Sequence, residues 1–185
     1  MPVLICMLRG VNIGPHNRVK MDALRALCMS LKFEDPRTYV QSGNVIFRVK
    51  EKNSAALAKK IQQAIALEFG FRPEVILRTL AELRRAVAAN PFAGRRDVEP
   101  GKLLVTFLNT EPGPDARTTL AKFKDHLEEI HLAGREMYIY FPNGAGKSKL
   151  PWSSVEKLLK TTGTARNWNS VSKMLEIAEE LEAAG

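Results

Sequence analysis

Apolar residues recur at alternating strand-like and helix-like spacings along the first half of the chain. Residues 3–8 are continuously apolar, which predicts a strand buried on both faces. Apolar residues at helical spacing predict two helices, over residues 21–31 and 57–69. Three further segments are strand-like, residues 38–41, 44–49 and 74–78. The resulting order, β-α-β-β-α-β, is that of the split βαβ, or ferredoxin-like, plan.

Short polar signals set the expected ends of these elements. Asp35-Pro36 is expected to end the first helix, and Ser42-Gly43 is expected to form a tight hairpin turn. Asn53 or Ser54 is expected to cap the second helix, which should end at Gly70.

The same element order restarts after a Pro- and Gly-rich linker at residues 90–101. Three segments are strand-like, residues 102–108, 129–132 and 136–141. A helix between the first two is marked by Ala116, Leu120, Phe123 and Leu127. The last strand has to come from residues 162–168, and the final helix carries Val171, Met174, Leu175, Ala178 and Leu181.

Two capping boxes are predicted from the pattern S/T-x-x-E, in which the hydroxyl and the carboxylate satisfy each other's backbone N–H groups. One joins Thr79 and Glu82, and the other joins Ser153 and Glu156 in the second half. Each predicts the first turn of a helix.

These patterns predict an α+β fold of two tandem ferredoxin-like halves packed together, plus a C-terminal helix. Residues 1–90 form the first half, and residues 91–185 form the second half with the C-terminal helix. Because residues 3–8 show no polar alternation, we expect the other half of the chain to cover the second face of the first sheet. The repeat is one of element order, without convincing identity between residues.

The chain is basic, with 28 Lys and Arg against 20 Asp and Glu and a net charge of +8. Four of the acids lie in the last ten residues, which hold no base, so residues 1–175 carry a net charge of +12. Such an excess favours nucleic acid, nucleotides or phosphorylated small molecules as partners. A basic, solvated surface without a site is the alternative.

The composition also bears on location. No apolar stretch reaches the roughly 18 residues of a membrane span, so we expect no membrane partner. The apolar start lacks a basic segment before it and is not typical of a signal peptide. Cys6 and Cys28 lie on apolar patterns, which indicates buried, reduced thiols in the cytoplasm.

Polar residues are expected to converge at one end of the first sheet. In the β-α-β-β-α-β order the first two strands run parallel, so the loops that follow them lie at the same end. This places together Arg9, Asn12, Gly14, Asn17, Arg18, Gln41, Ser42 and Asn44. Amides donate and accept hydrogen bonds, and arginine binds phosphate or carboxylate, so a ligand-binding site is one interpretation. The other is structural, because Asn and Gly also build tight turns.

A second candidate lies at residues 144–148, Gly-Ala-Gly-Lys-Ser. A phosphate-binding P-loop needs glycine where this chain has Phe141, and Pro151 interrupts the helix that should follow. A nucleotide triphosphatase is therefore not supported. Lys147, Ser148 and Lys149 beside glycines are still expected to bind an anion, with a flexible basic turn as the alternative.

The segment 164–169, Thr-Ala-Arg-Asn-Trp-Asn, is a third candidate. Arg166 is the more plausible ligand-binding residue, together with Asn167. Trp168 either stacks on a base or fills a gap between the last two helices. Asn167 or Asn169 is expected to cap the final helix.

Catalytic and metal chemistry finds little support. His16, His126 and His131 have no ligand spacing with cysteines or carboxylates, so no metal is expected. Neither cysteine has a nearby base, and no cofactor motif is present, so no cofactor is expected. Phe47 is the only aromatic residue of a strand that would need several in an RNA-recognition motif.

Four segments in order resemble the signature blocks of the bacterial domain-of-unknown-function family 1697. They are residues 8–14 (Leu-Arg-Gly-Val-Asn-Ile-Gly), 39–47 (Tyr-Val-Gln-Ser-Gly-Asn-Val-Ile-Phe), 148–150 (Ser-Lys-Leu) and 164–169. The resemblance implies a cytosolic bacterial protein with two ferredoxin-like repeats, and it supplies no activity. Pro15 departs from the pattern, since the family often has a second glycine there.

Three functions remain open. We expect a binding module for an anionic ligand, nucleic acid or nucleotide, through the polar loops of the first half. One alternative is an enzyme acting on a phosphorylated or carboxylated small molecule, for which Asp22 and His16 are the only candidate acids or bases near the first loop. Another is a protein-interaction module that uses a sheet edge or the acidic C-terminal helix.

Overall fold

The computed structural model of the chain describes residues 1–123 and 127–185. His126, one of the three histidines considered above, lies outside the described residues. The chain divides into two compact units. Unit 1 consists of Met1–Arg85 and Ser172–Gly185, and unit 2 consists of Ala86–Val171.

Unit 1 contains a four-stranded antiparallel sheet in the order β2-β3-β1-β4. Its elements are β1 (Val3–Leu8), α1 (Met21–Ser30), β2 (Glu34–Thr38), β3 (Asn44–Arg48), α2 (Ser54–Phe69), β4 (Val75–Thr79) and α3 (Leu80–Ala88), whose last turn falls in unit 2. This is the predicted β-α-β-β-α-β order.

Unit 2 contains a second four-stranded antiparallel sheet, in the order β6-β7-β5-β8. Its elements are β5 (Leu103–Leu108), α4 (Ala116–Leu120), β6 (Glu129–Ala133), β7 (Glu136–Tyr140), α5 (Trp152–Leu159) and β8 (Gly163–Asn167). Helix α6 (Trp168–Ala183) begins in unit 2 and continues in unit 1. The predicted α+β class, with two ferredoxin-like halves and a C-terminal helix, is therefore confirmed, including the final strand of the second half.

The two sheets repeat the same strand register. Ile5, the third residue of β1, pairs with Arg78 of β4. Val105, the third residue of β5, pairs with Arg166 of β8. Both arginines are the fourth residue of their strand and both are buried. The repeat is therefore one of register as well as of element order.

Strand β1 is buried on both faces, as its continuous apolar run predicts. Leu4, Cys6 and Leu8 belong to the core that α1 and α2 share with the sheet. The residues of the opposite face are buried as well, down to 0 % exposure at Ile5 and Met7. Coverage of this face by the other half of the chain stays a prediction.

The position of β2 differs from the prediction. It spans Glu34–Thr38 rather than residues 38–41, so Asp35-Pro36 lies inside a strand. The strand accommodates them through an irregularity in the register between Glu34 and Arg37, with Asp35 at φ 48°. Proline cannot donate to a strand ladder and is tolerated at such irregularities on edge strands. The connection to β3 is consequently longer than the predicted two-residue hairpin.

Two predicted helix starts are confirmed. The Asn53 side chain accepts a hydrogen bond from Ala56 N at 3.0 Å at the start of α2. Thr79 and Glu82 form the capping box of α3: Thr79 N donates to Glu82 Oε2 at 2.7 Å, and Glu82 N donates to Thr79 Oγ1 at 3.2 Å. Helix α2 also ends at Gly70, which has the left-handed conformation typical of a helix C-cap.

The second capping box is wrong. Helix α5 begins at Trp152, with Pro151 rather than Ser153 at its N-cap and no side-chain cap. Glu156 instead accepts a hydrogen bond from Gly163 N at 3.3 Å, at the start of β8.

The predicted apolar stripe of α4 does not extend to Leu127, which is 72 % exposed. Among the described residues, no helix is long and apolar enough to cross a membrane.

Candidate functional site

The loops that follow β1 and β2 meet at the carboxyl end of β1, as the parallel course of the two strands predicts. We call residues 9–20 and 39–44 together the rim. The side chain of Asn12 joins the two loops: its Nδ2 donates to Gln41 O at 3.0 Å and to Val19 O at 2.9 Å. Its Oδ1 accepts from Val19 N at 2.9 Å. All three hydrogen bonds of this amide are therefore made to backbone atoms.

The backbone of the rim is unusually rich in left-handed residues. Positive φ angles, all between 50° and 72°, occur at Gly10, Asn12, Gly14, Asn17, Val40 and Gly43. Val40 is β-branched, and such residues adopt this region rarely and at an energetic cost. Strained backbone of this kind persists only where the surrounding contacts hold it in place, and it concentrates at functional sites.

Position 43 requires glycine for two reasons: its φ is 72°, and there is little room for a Cβ atom. Its carbonyl oxygen accepts from Leu8 N at 3.0 Å, which ties the second loop to the end of β1. A Cβ atom at Gly43 would lie 3.0 Å from Leu8 Cβ and 3.3 Å from Val11 Cβ. The same atom at Gly14, whose φ is also 72°, would meet nothing within 4 Å. The two glycines therefore have different roles.

The remaining amides of the rim also hold its loops. Asn17 Nδ2 donates to Gly10 O at 3.4 Å, and Asn17 O accepts from Asn12 N at 3.1 Å. Asn44 is completely buried and donates to Ser42 Oγ at 2.7 Å. These amides therefore stabilise the loop conformation, which is the structural interpretation of their sequence pattern.

The rim presents cationic, polar and apolar groups to solvent. The cations Arg18 and Lys20 are exposed, as are His16, Gln41, Ile13 and Val40. Lys20 also occupies the N-cap of α1 without making a side-chain cap. Lys20 was not among the predicted site residues, although it lies directly before the helix predicted over residues 21–31.

Arg9 differs from these exposed cations because it has an acidic partner. Its Nη1 lies 3.4 Å from Glu74 Oε2, and its backbone N donates to Glu74 O at 3.0 Å. Glu74 was not among the predicted residues. The signal that could have found it is topological, since it directly precedes β4, the strand that pairs with β1.

The second group of candidates lines a separate cleft in unit 2. The cleft has a volume of about 290 Å³, and Lys147, Ser148 and Lys149 lie on its wall with Phe141 and Glu128. Ser148 Oγ donates to Glu128 Oε1 at 2.5 Å. The serine hydroxyl thus faces a carboxylate, and a short 3₁₀-helix (Ala145–Lys147) takes the place of the α-helix that a P-loop needs.

The third group is held within sheet β6-β7-β5-β8. Arg166 is 8 % exposed, and its Nη1 donates to Thr164 Oγ1 at 2.7 Å and to Ala165 O at 2.8 Å. Asn167 Nδ2 donates to Gly101 O at 2.7 Å, and its Oδ1 accepts from Asn169 N at 3.0 Å. The predicted capping of the final helix by Asn167 is confirmed.

The second and third groups lie at the end of their sheet where β5 begins. Asn167 pairs with Leu104 near the start of β5, and Phe141 N donates to Lys102 O before that strand. The rim lies instead where β1 ends. The predicted binding residues therefore form separate groups at non-equivalent ends of two equivalent repeats.

Nucleophilic chemistry by the thiols is disfavoured by burial. Cys6 and Cys28 are both buried. Burial raises the pKa of Cys28 from 9.0 to about 12, so its thiol stays protonated at neutral pH. The described residues contain no group of three or more His, Cys, Asp or Glu side chains that could hold a metal ion.

Comparison with known proteins identifies a family and a similar solved structure. The model of the family described as Protein of unknown function (DUF1697) matches residues 1–138. The structure of the conserved bacterial protein SP0830 from Streptococcus pneumoniae matches with a TM-score of 0.70 and 20 % sequence identity, over 96 % of this chain and 98 % of that chain. At this identity the likeness shows the fold alone. No curated protein matches the sequence.

Proposed function

The chain belongs to the family of unknown function DUF1697, and we propose that it is a binding module for an anionic ligand, a single-stranded nucleic acid or a nucleotide, which it contacts through the rim. The observation that carries the proposal is the pair of loops joined by Asn12, with the exposed cations Arg18 and Lys20 in the first loop. Nothing in the family's description assigns an activity.

The rim is preorganised, which favours binding. The three hydrogen bonds of the Asn12 side chain and the bond from Leu8 N to Gly43 O fix the two loops before any ligand arrives. A loop that is already ordered loses little conformational entropy when it binds. Binding residues usually lie on loops that a rigid scaffold positions, and the rim follows two strands of one sheet.

The exposed charges of the rim define the ligand class. Arg18 and Lys20 are exposed cations within three residues of each other, and Gln41 adds an exposed amide. Guanidinium and ammonium groups bind phosphate oxygens, and an amide can hydrogen-bond the edge of a base. The basic body of the chain, +12 over residues 1–175, steers anions toward such a site.

The acidic C-terminal helix is engaged inside unit 1, which favours the rim over α6 as the binding surface. Arg84 contacts Glu179 at 3.0 Å and Glu182 at 2.7 Å, and Arg37 contacts Glu180 at 3.2 Å. The apolar residues of α6 that lie in unit 1, Met174, Ala178 and Leu181, are each 0 % exposed. These carboxylates already have partners within the unit.

The test is a fluorescence-anisotropy titration of fluorescein-labelled single-stranded RNA and DNA at low ionic strength, repeated at increasing salt. We expect an affinity whose logarithm falls linearly with the logarithm of salt concentration. In the double variant Arg18→Gln, Lys20→Gln, the slope should shrink by about 0.7 for each phosphate that the rim no longer neutralises.

The matched control is Lys59→Gln with Lys52→Gln, which removes two exposed cations of the same unit outside the rim. The proposal requires that this control keep the slope of the parent chain. A flat titration of both oligonucleotides at low salt, or equal slopes in the rim variant and the control variant, would overturn it.

A further inference from the structure

Unit 1 also contains a cleft, which lies at the amino end of β1, opposite to the rim. It has a volume of about 370 Å³, and its floor is apolar, formed by Leu31, Phe33, Val49 and Leu57. Phe33, Val49 and Leu57 are all buried. We call it the Phe33 cleft. Pockets of about 300–1,000 Å³ with mainly apolar walls are typical of small organic ligands.

The floor of the Phe33 cleft is rigid. Phe33 stacks on Phe47 with ring centroids 4.4 Å apart and an interplanar angle of 8°. Phe47 is a fully buried residue of β3, so the stacked pair fixes the orientation of the floor. Because this floor is fixed, an aromatic or medium-chain aliphatic body can enter the cleft above it without displacing core residues.

Three lysines surround this floor. Lys32, Lys50 and Lys60 line the cleft, and all three are exposed. Lys60 Nζ is held at the cleft by a 3.3 Å hydrogen bond to Leu31 O and lies 5.7 Å from the centroid of the Phe33 ring. Its ammonium group is therefore positioned above the apolar floor rather than extended into solvent.

Two carboxylates line the same cleft and limit its charge. Glu34 and Glu51 stand against the three lysines, and Glu51 Oε1 accepts a hydrogen bond from Asn53 N at 2.7 Å. The side chains of the cleft consequently carry one positive charge in excess over an apolar floor. This combination suits a ligand with an apolar body and a single anionic head.

The corresponding end of unit 2 repeats the arrangement. Val49 N donates to Pro2 O at 3.2 Å beside β1, and Phe141 N donates to Lys102 O at 3.0 Å beside β5. Val49 and Phe141 thus hold the same place in their repeats. Phe141 lines the unit 2 cleft in which Lys147 and Lys149 lie. A cleft lined by lysines is therefore found beside this position in both repeats.

We propose that the Phe33 cleft binds an amphiphilic organic anion, an aromatic or medium-chain aliphatic body that carries one carboxylate, sulfonate or phosphate head. The body packs against Leu31 and Ala56 above this floor, and the head contacts Lys60 with Lys50 or Lys32. The proposal goes beyond binding at the rim and does not depend on it.

The test uses 8-anilinonaphthalene-1-sulfonate as a fluorescent probe, with decanoate and the uncharged decanol as competitors. We expect saturable binding that decanoate displaces and decanol displaces far less. The double variant Lys50→Gln, Lys60→Gln should weaken probe affinity by about fivefold, because two exposed cations no longer face the anionic head. Ala56→Trp should abolish binding, because Ala56 is an exposed residue of the cleft wall and tryptophan there fills the space.

The matched control is Lys59→Gln, the neighbouring exposed lysine of α2, which does not line the cleft. Its probe affinity should equal that of the parent chain. The lysine variants change only exposed side chains, so they test the cleft even where Ala56→Trp lowers stability. Unchanged probe affinity in the Lys50, Lys60 variant, or equal displacement by decanoate and decanol, would refute the site. Oligonucleotide binding measured in parallel reports on the rim separately.

Discussion

Asn12 Nδ2 donates to Gln41 O at 3.0 Å and so joins two loops that lie 29 residues apart in the sequence. The same nitrogen donates to Val19 O, and the amide oxygen accepts from Val19 N. One side chain on a residue in the left-handed conformation, at φ 58°, therefore closes its own loop and fastens the neighbouring one. The shape of the rim depends on this residue more than on any of the exposed charges.

Replacing Asn12 by alanine should destabilise the chain by about 2 kcal/mol. The change removes three hydrogen bonds of the side chain, leaves backbone groups of Val19 and Gln41 without that partner, and places a residue with no local amide at positive φ. Asn12→Asp keeps an acceptor for Val19 N but turns a carboxylate toward two carbonyl oxygens, so it should cost a similar amount. Urea unfolding followed by circular dichroism measures both. A decrease below about 0.5 kcal/mol for alanine would show that other interactions hold the loops.

Two glycines of the rim with the same φ should respond differently to alanine. Gly14→Ala meets no atom within 4 Å and should cost about 1 kcal/mol, the penalty of the left-handed region alone. Gly43→Ala adds contacts of 3.0 Å and 3.3 Å to Leu8 and Val11, and should cost about 2–4 kcal/mol in total. The comparison uses the same urea titration for both variants. Equal decreases in stability would mean that Leu8 and Val11 move aside freely.

The two predicted capping boxes also provide a matched pair. Thr79→Ala removes a hydroxyl that accepts from Glu82 N, and should cost about 1 kcal/mol in the free energy of unfolding. Ser153→Ala should be close to neutral, because α5 begins at Trp152 and Ser153 makes no cap. The same sequence pattern therefore stabilises one helix and not the other. A comparable cost at Ser153 would contradict a start of α5 at Trp152.

Local sequence signals specify some parts of the structure and not others. Asn53 and Thr79 stand directly before apolar helical patterns, and their caps form as predicted. The signal failed at Ser153 because Pro151 takes the N-cap and the helix has already begun at Trp152. It failed at β2 because Asp35 adopts φ 48° and lets Pro36 remain in the strand. A single backbone conformation of that kind is not visible in the pattern of residues.

The position of the rim could be predicted from the strand topology, whereas the hydrogen-bond partners of its side chains could not. Because β1 and β2 run parallel, Asn12 and Gln41 lie at the same end of the sheet in any case. Whether an amide faces a ligand or the backbone depends on atomic distances, which a pattern of residues cannot supply. The partner of Arg9 is Glu74, which is 65 residues away in the sequence and comes close to Arg9 only because β4 pairs with β1. The Phe33 cleft likewise combines the end of α1, the end of β3 and the start of α2.

Cys28 should make stability depend on pH in the alkaline range. Burial raises the pKa of its thiol in the folded chain from 9.0 to about 12. Below pH 9 the thiol is protonated in both states and contributes no pH dependence. Between pH 9 and pH 12 the unfolded chain loses this proton while the folded chain keeps it, so the free energy of unfolding falls by about 1.4 kcal/mol per pH unit from this group.

Other groups also titrate above pH 9, so the contribution of Cys28 is obtained by difference. Urea unfolding at about pH 8, 9, 10 and 10.5 is compared between the parent chain and Cys28→Ala, which lowers stability at about pH 8 because it opens a small cavity. The stability difference between the two chains should be constant up to pH 9 and shrink above it, since only the parent carries the thiol. In parallel, iodoacetamide at about pH 8 should leave Cys28 unmodified in the folded chain and modify it in urea, because alkylation requires an accessible thiolate. A stability difference that stays constant over the whole alkaline series, or rapid alkylation of the folded chain, would contradict the burial of Cys28 on the core side of α1.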